Sequence, residues 1–188
     1  LYYLGEGNRT EYREGVFVGY RYYDKKEMDV LFPFGHGLSY TTFEYSDLRL
    51  SAEAVKDTDT LTATVTVKNT GARTGKAVAQ LYVAPPEADV IRPVRELKGF
   101  AKVELAPGEA KEVSFALDKR SFAYWNETLR DWHVVTGDYA IQVGASSRDL
   151  PLCAKVNVTG TAELPRHFDA NSIFMDILAA PKAAEAMK

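Results

Sequence analysis

From Leu48 to about Val158, apolar and polar residues alternate with a period of two, and no other feature limits the possible folds so tightly. The stretch DTLTATVTVKNTG shows it best. Leu61, Ala63, Val65 and Val67 fall on one face, and Thr60, Thr62, Thr64 and Thr66 fall on the other. That pattern describes a strand with one face on a core and one in water. GKAVAQLYVAPP reads as the next strand, closed by Pro85 and Pro86, which lack a backbone donor. ELKGFAKVELAPGEAKEVSFAL reads as two strands around Pro107-Gly108, a type II turn pair. WHVVTGDYAIQVGAS repeats the plan, with the turn at Gly137-Asp138 and Tyr139, Ile141 and Val143 facing inward. LCAKVNVTG closes the series. Asn69-Thr70-Gly71 is expected to turn the chain because Asn and Gly tolerate left-handed backbone.

About seven short strands with a turn signal every 8 to 12 residues indicate an antiparallel sandwich or barrel. No helix-period stretch interrupts them, which disfavours a parallel sheet with crossover helices. The expected fold is mainly β, an immunoglobulin or fibronectin type III-like sandwich. The absence of a Cys-Trp-Cys pattern favours the fibronectin plan. The period changes in DANSIFMDILAAPKAAEAMK, where Ile173, Phe174, Ile177 and Leu178 sit at helical spacing behind Asn171 or Ser172 as N-cap. Pro181 suits the first turn of a second short helix. Three segments are therefore expected: a connecting segment over 1–43, the sandwich over 44–160 and a short helical tail over 161–188.

The chemistry-bearing residues are dispersed. A net charge of −3 gives no basic field for phosphates, so nucleic acid is not an expected partner. No run of 18 apolar residues exists to span a membrane as a helix. His36, His133 and His167 lack the close spacing of zinc ligands, and no phosphate-cradling loop or nucleophile elbow is present. Asp57 and Asp59 resemble a metal-binding pair but lie between strand patterns, where aspartates make turns. Cys153 alternates with the strand around it and is expected to be a packed thiol. Asn8, Asn126 and Asn157 head short glycosylation-type triplets, which matter only in a secretory compartment. The compartment stays open between the bacterial cytoplasm and a secreted or periplasmic site.

The aromatic run LFPFGHGLSYTTFEY admits two readings. Phe32, Phe34, Tyr40 and Phe43 can fasten the sandwich to a neighbouring domain, or offer ring faces to a pyranose. Gly35 and Gly37 permit sharp turns, and Pro33 holds Phe32 extended. Taken with what precedes it, as EGVFVGYRYYDKKEMDVLFPFGHGLSYTTFEYSDL, the run resembles the segment leading into the fibronectin type III-like domain of glycoside hydrolase family 3 β-glucosidases. The matching pieces are Glu14-Gly15, Gly19 to Asp24 and Phe32 to Phe43, with His36 where tyrosine is more usual. The resemblance continues through QLYV, RPVRELKGFAKVELAPGEAKEVSFAL, GDYAIQVGASSRD and NSIFMDILAAPKA.

That resemblance implies a retaining exo-glycosidase with a (β/α)8 barrel bearing an aspartate nucleophile and an α/β sandwich bearing a glutamate. Such chemistry needs two carboxyl groups about 5 Å apart. It further implies that this chain is the accessory part, inactive alone. The family nucleophile sits in a Ser-Asp-Trp-like context. Asp131-Trp132 is the near match, but Arg130 replaces the small residue, and no barrel of about 250 residues surrounds it. Hence no catalytic residue, cofactor-binding residue or metal ligand is expected here. Arg21, Tyr22 and Tyr23 could approach the substrate mouth of the whole enzyme. The expected partners are the catalytic domains of the same enzyme, with the β-glucoside bound mainly elsewhere. Two alternatives stand beside this. One is a carbohydrate-binding module gripping polysaccharide through Tyr124, Trp125 or Trp132; the other is a homo-oligomer contact through Phe168, Ile173 and Phe174.

Overall fold

The threonine-flanked run forms the centre of a β-sandwich in the computed structural model, which describes residues 7–88 and 90–165. The first element is a short helix, α1 (Tyr20–Lys25). Then come β1 (Phe43–Leu50), β2 (Ala54–Lys56), β3 (Leu61–Asn69), β4 (Gly75–Ala84), β5 (Glu96–Leu105) and β6 (Ala110–Leu117). A four-residue helix, α2 (Lys119–Phe122), precedes β7 (Tyr124–Asn126), β8 (Asp131–His133), β9 (Gly137–Gly144) and β10 (Leu152–Thr159). One sheet has the order β1-β3-β6 and the other β2-β10-β9-β4-β5. The helices expected around Ile173 and Pro181 lie outside the described residues, as do His167 and Phe168.

Period two sets the core. Leu61, Ala63, Val65 and Val67 are fully buried in β3, facing Tyr139, Ile141 and Val143 of β9 and Val156 and Val158 of β10. β3 lies antiparallel to β6 with Leu61 opposite Leu117 and Val65 opposite Val113, so both strands turn their apolar residues to the same side. Each fully buried Val, Leu or Ile side chain stabilises the fold by about 1.5–3 kcal/mol.

Several sequence expectations change at the connections. Pro107-Gly108 does make the turn, with Gly108 at φ 75° and the Glu109 amide donating to the Ala106 carbonyl at 3.0 Å. Yet β5 and β6 belong to different sheets, so the turn is a corner between layers and not a hairpin. β8 does not pair with β9; it pairs with β7, Trp125 opposite Trp132, as a separate two-stranded ribbon. α2 interrupts the strand series where no helix is expected. It forms because Asp118 caps it, its carboxylate accepting from the Ser121 amide at 3.2 Å. Cys153 is exposed, not packed. The buried residues of β10 are Val156 and Val158, and Cys153 has the opposite parity.

Tyr139 closes the inner layer. Its ring is fully buried, and its hydroxyl donates to the Val135 carbonyl at 2.9 Å, the tyrosine-corner arrangement of immunoglobulin-like sandwiches. Burial pushes the phenol above its ordinary pKa, with the nearby Arg92 opposing. Tyr139→Phe leaves the Val135 carbonyl without this donor. It is expected to lower stability by about 1 kcal/mol, read as a lower urea midpoint at unchanged slope.

Candidate docking face

β4 is buried on one face only at its start, where Ala77 and Ala79 alternate with exposed neighbours. From Gln80 to Val83 it is buried on both. The second cover is the segment before β1. Tyr20 of α1 meets the Tyr82 ring edge-on with centroids 5.8 Å apart and stacks on Phe34 at 4.9 Å. Tyr82 is fully buried and its hydroxyl donates to Gln80 Oε1 at 2.6 Å, while Gln80 Nε2 donates to the Ala145 carbonyl at 2.6 Å. Burial raises the Tyr82 phenol well above its usual pKa; Tyr20 and Asp24 add to this and Arg95 opposes it.

Backbone geometry lets the segment come this close. The His36 amide donates to the Pro33 carbonyl at 3.0 Å, closing a turn in which Gly35 has φ 85°. A side chain at that position would be strained, and its Cβ would collide with the Gln80 amide. Of the two glycines in GHG, only Gly35 has positive φ.

Polar ties fix the segment to the sandwich. The Leu97 amide donates to the Tyr20 hydroxyl at 2.8 Å, and the Ser147 amide to the Phe34 carbonyl at 2.8 Å. Arg148 reaches back from the loop after β9, its Nε on Asp24 Oδ1 at 2.9 Å and its Nη2 on the Met28 carbonyl at 2.7 Å. Arg21 pairs with Glu96 at 3.2 Å, and the same carboxylate faces Lys98 at 3.4 Å and Arg92 at 3.6 Å. Burial pushes the Lys98 ammonium below its ordinary pKa, with Glu96 opposing and Arg92 and Arg21 adding. Arg92 also donates to the Phe122 carbonyl at 3.2 Å, which ties this corner to α2.

The outer side of the segment is bare. Leu31 is 88% exposed, Phe32 65%, Leu38 95% and Tyr40 93%, which makes a large apolar surface on one stretch of chain. Phe32 stacks on the His36 ring at 5.2 Å, and Phe43 packs against the core. Arg21 is held by Glu96, Tyr23 lines a groove beside α1, and Tyr22 is partly exposed.

The other sequence candidates are spread across the molecule. Asp59 makes the expected turn, its Oδ2 accepting from the Lys56 amide at 3.0 Å. Asp57 is buried and accepts from the Thr161 amide at 3.1 Å. His133 is buried near Asp57, and burial lowers its imidazole pKa against the carboxylate's pull. Asp131 opens β8 at the surface, its Oδ1 accepting from the Trp132 amide. Trp125 and Trp132 cross at 72°, and the Arg120 guanidinium covers Trp132 at 3.6 Å, so the two rings do not form a flat row. Among the described residues no group of three His, Cys, Asp or Glu side chains is placed to share a metal, and no helix is long and apolar enough to cross a membrane. Sequence reasoning missed the anchors Asp24, Gln80, Tyr82 and Arg148. The one available signal was the unbroken apolar run Leu81-Tyr82-Val83, where the alternation of β4 stops.

Two packed sheets in this order, a tyrosine corner and a strap over β4 define a fibronectin type III-like sandwich. Residues 77–147 match the family model described as a fibronectin type III-like domain. Across its whole length the chain is 49% identical to thermostable beta-glucosidase B of Acetivibrio thermocellus, of which it covers 25%. It is 51% identical to an exo-alpha-(1->6)-L-arabinopyranosidase of Bifidobacterium breve, over 83% of this chain and 20% of that protein. The structure superposes on a Bifidobacterium adolescentis GH3 beta-glucosidase with a TM-score of 0.84 at 44% identity, covering 98% of this chain and 27% of that one. The chain matches the stretch of glycoside hydrolase family 3 β-glucosidases that holds their fibronectin type III-like domain. It spans about a quarter of the length of the relatives it matches.

Proposed function

We propose that this chain is the accessory portion of a retaining β-glucosidase-type hydrolase, holding the catalytic domains of the same polypeptide in place and supplying none of the reacting carboxyl groups. In this reading residues 1–43 connect to the preceding catalytic α/β domain, 44–160 form the buttress, and 161–188 are a tail. The carrying observation is the strap. Its inner side is pinned to the sandwich by Tyr20, Phe34 and Arg148, and its outer side presents Leu31, Phe32, Leu38 and Tyr40 to solvent. Such a surface gains by being covered, at roughly 25 cal/mol per Å². The substrate is a β-glucoside, handled by the part of the protein outside these residues.

The test compares the purified 188-residue chain with a longer polypeptide that contains it, on an aryl β-glucoside. The longer protein is expected to release the aryl group and the chain alone to release none. Turnover by the chain alone that is lost in Asp131→Asn would overturn the reading.

A further inference from the structure

Beside α1 lies an open groove of about 570 Å³, with Tyr20, Tyr23, Phe32 and Phe34 in its walls. Asp24, Asp29, Ser147 and Arg148 supply its polar lining. The Asp24 side chain is only 8% exposed, and its two oxygens differ. Oδ1 accepts from Arg148 Nε, whereas Oδ2 is buried with no hydrogen-bond partner. Ser147, 1% exposed, also has a buried hydroxyl without a partner. A buried carboxylate oxygen that has lost water and gained no donor is costly, so the groove is chemically unfinished. Arg148 does not finish it, because its Nε and Nη2 are committed to Asp24 Oδ1 and the Met28 carbonyl.

We propose that this groove receives an arginine side chain from the part of the family 3 protein outside this chain. The inference rests on the docking reading above and names what the docked surface must present. Two carboxylates, Asp24 and Asp29, stand against one cation, Arg148, so the charge of the lining calls for a cation. The walls select the kind. A planar guanidinium stacks on aromatic faces and still directs N–H groups at a carboxylate in its own plane, while an ammonium is a compact, strongly hydrated point charge. One N–H completes Asp24 Oδ2, and the Ser147 hydroxyl is a second acceptor on the same lining. The chain covers 25% of its Acetivibrio relative, so a protein of that size has ample surface to supply the side chain.

The experiment is a crystal structure of the longer polypeptide, alone and soaked with glucose. The expected result is a guanidinium nitrogen from outside these residues within about 3.2 Å of Asp24 Oδ2 in both crystals. A groove filled by a neutral or acidic side chain, by solvent, or by glucose would overturn the inference. If Leu31, Leu38 and Tyr40 are covered while the groove holds no arginine, this inference fails and the docking reading stands. If those three remain in solvent, the docking reading fails, and this inference with it.

Discussion

Asn69→Ala is expected to cost the chain about 3 kcal/mol, far more than a surface amide would, because four hydrogen bonds meet on this one side chain. Asn69 is fully buried at the end of β3. Its Oδ1 accepts from the Thr41 hydroxyl at 2.7 Å and the Gly71 amide at 3.0 Å. Its Nδ2 donates to the carbonyls of Arg73 at 2.8 Å and Leu105 at 2.9 Å. Its backbone adds the Glu109 carbonyl at 2.9 Å and the Gly108 amide at 3.0 Å. Alanine keeps the two backbone bonds and strands the other partners, of which the Leu105 carbonyl is buried. Urea unfolding of the chain reads the loss as a lower midpoint at unchanged slope. Asn69→Asp is the companion variant: it keeps both acceptor contacts and turns a carboxylate oxygen on two carbonyls, so it too should destabilise. A loss below about 1 kcal/mol for the alanine variant would show that the hub is not what holds this corner.

The double substitution Leu38→Asp, Tyr40→Asp is expected to give opposite results in two contexts. Both side chains are more than 90% exposed, at 95% and 93%. In the 188-residue chain the change removes no packing and should stay within about 0.5 kcal/mol per site. In a longer polypeptide whose other domains cover this strap, two carboxylates would be forced out of water without partners, at several kcal/mol each. That is expected to appear as lost soluble yield and a large drop in the midpoint of the first unfolding transition. Paired thermal melts of both proteins decide the matter. Equal, small shifts would mean that these residues stay in water and that the strap is no interface.

The layers of the sandwich were legible because strand burial is a local, periodic property. Leu61 to Val67 and Tyr139 to Val143 alternate without a break, and each buried set points inward. Pairing partners were less legible, since period two says which way a residue faces and not which strand lies beside it. Hence alternation alone sets Trp132 next to β9, while its strand turns back on β7. Backbone tolerance makes Asn69 and Gly71 expected turn residues, yet neither has positive φ. Asn69 is there for its amide. Gly71 is there because a Cβ would meet the Thr41 hydroxyl oxygen. Both reasons depend on residues far away in sequence. Cys153 was legible in principle, because its parity against Val156 and Val158 already turns it outward.

The apolar face of the strap was legible as composition and not as geometry. Five aromatic residues in a glycine-punctuated run announced a large apolar surface, and the structure leaves much of it bare. What pins the run is a set of long-range pairs, Asp24 with Arg148 and Tyr20 with the Leu97 amide, separated by 124 and 77 residues. No periodicity encodes such pairs. α1 is illegible for a related reason: its six residues carry no side-chain N-cap, and Tyr20 is tied to Phe34, Tyr82 and the Leu97 amide, the last two far along the chain.

The pairing of β10 with β2 has a mechanical side. These strands lie at opposite ends of the sandwich sequence and run parallel, Asn157 beside Ala54 and Thr159 beside Lys56. The Asp57 amide donates to the Thr159 carbonyl and the Asn157 amide to the Glu53 carbonyl, each at 2.9 Å. When neighbouring parts of a large protein drift apart and tug on this region from both sides, the load slides the two strands lengthwise. Every bond along the seam is then strained at once, where a hairpin would open one rung at a time. The seam is built as a clasp against pulling, as the proposed role of keeping other parts together requires.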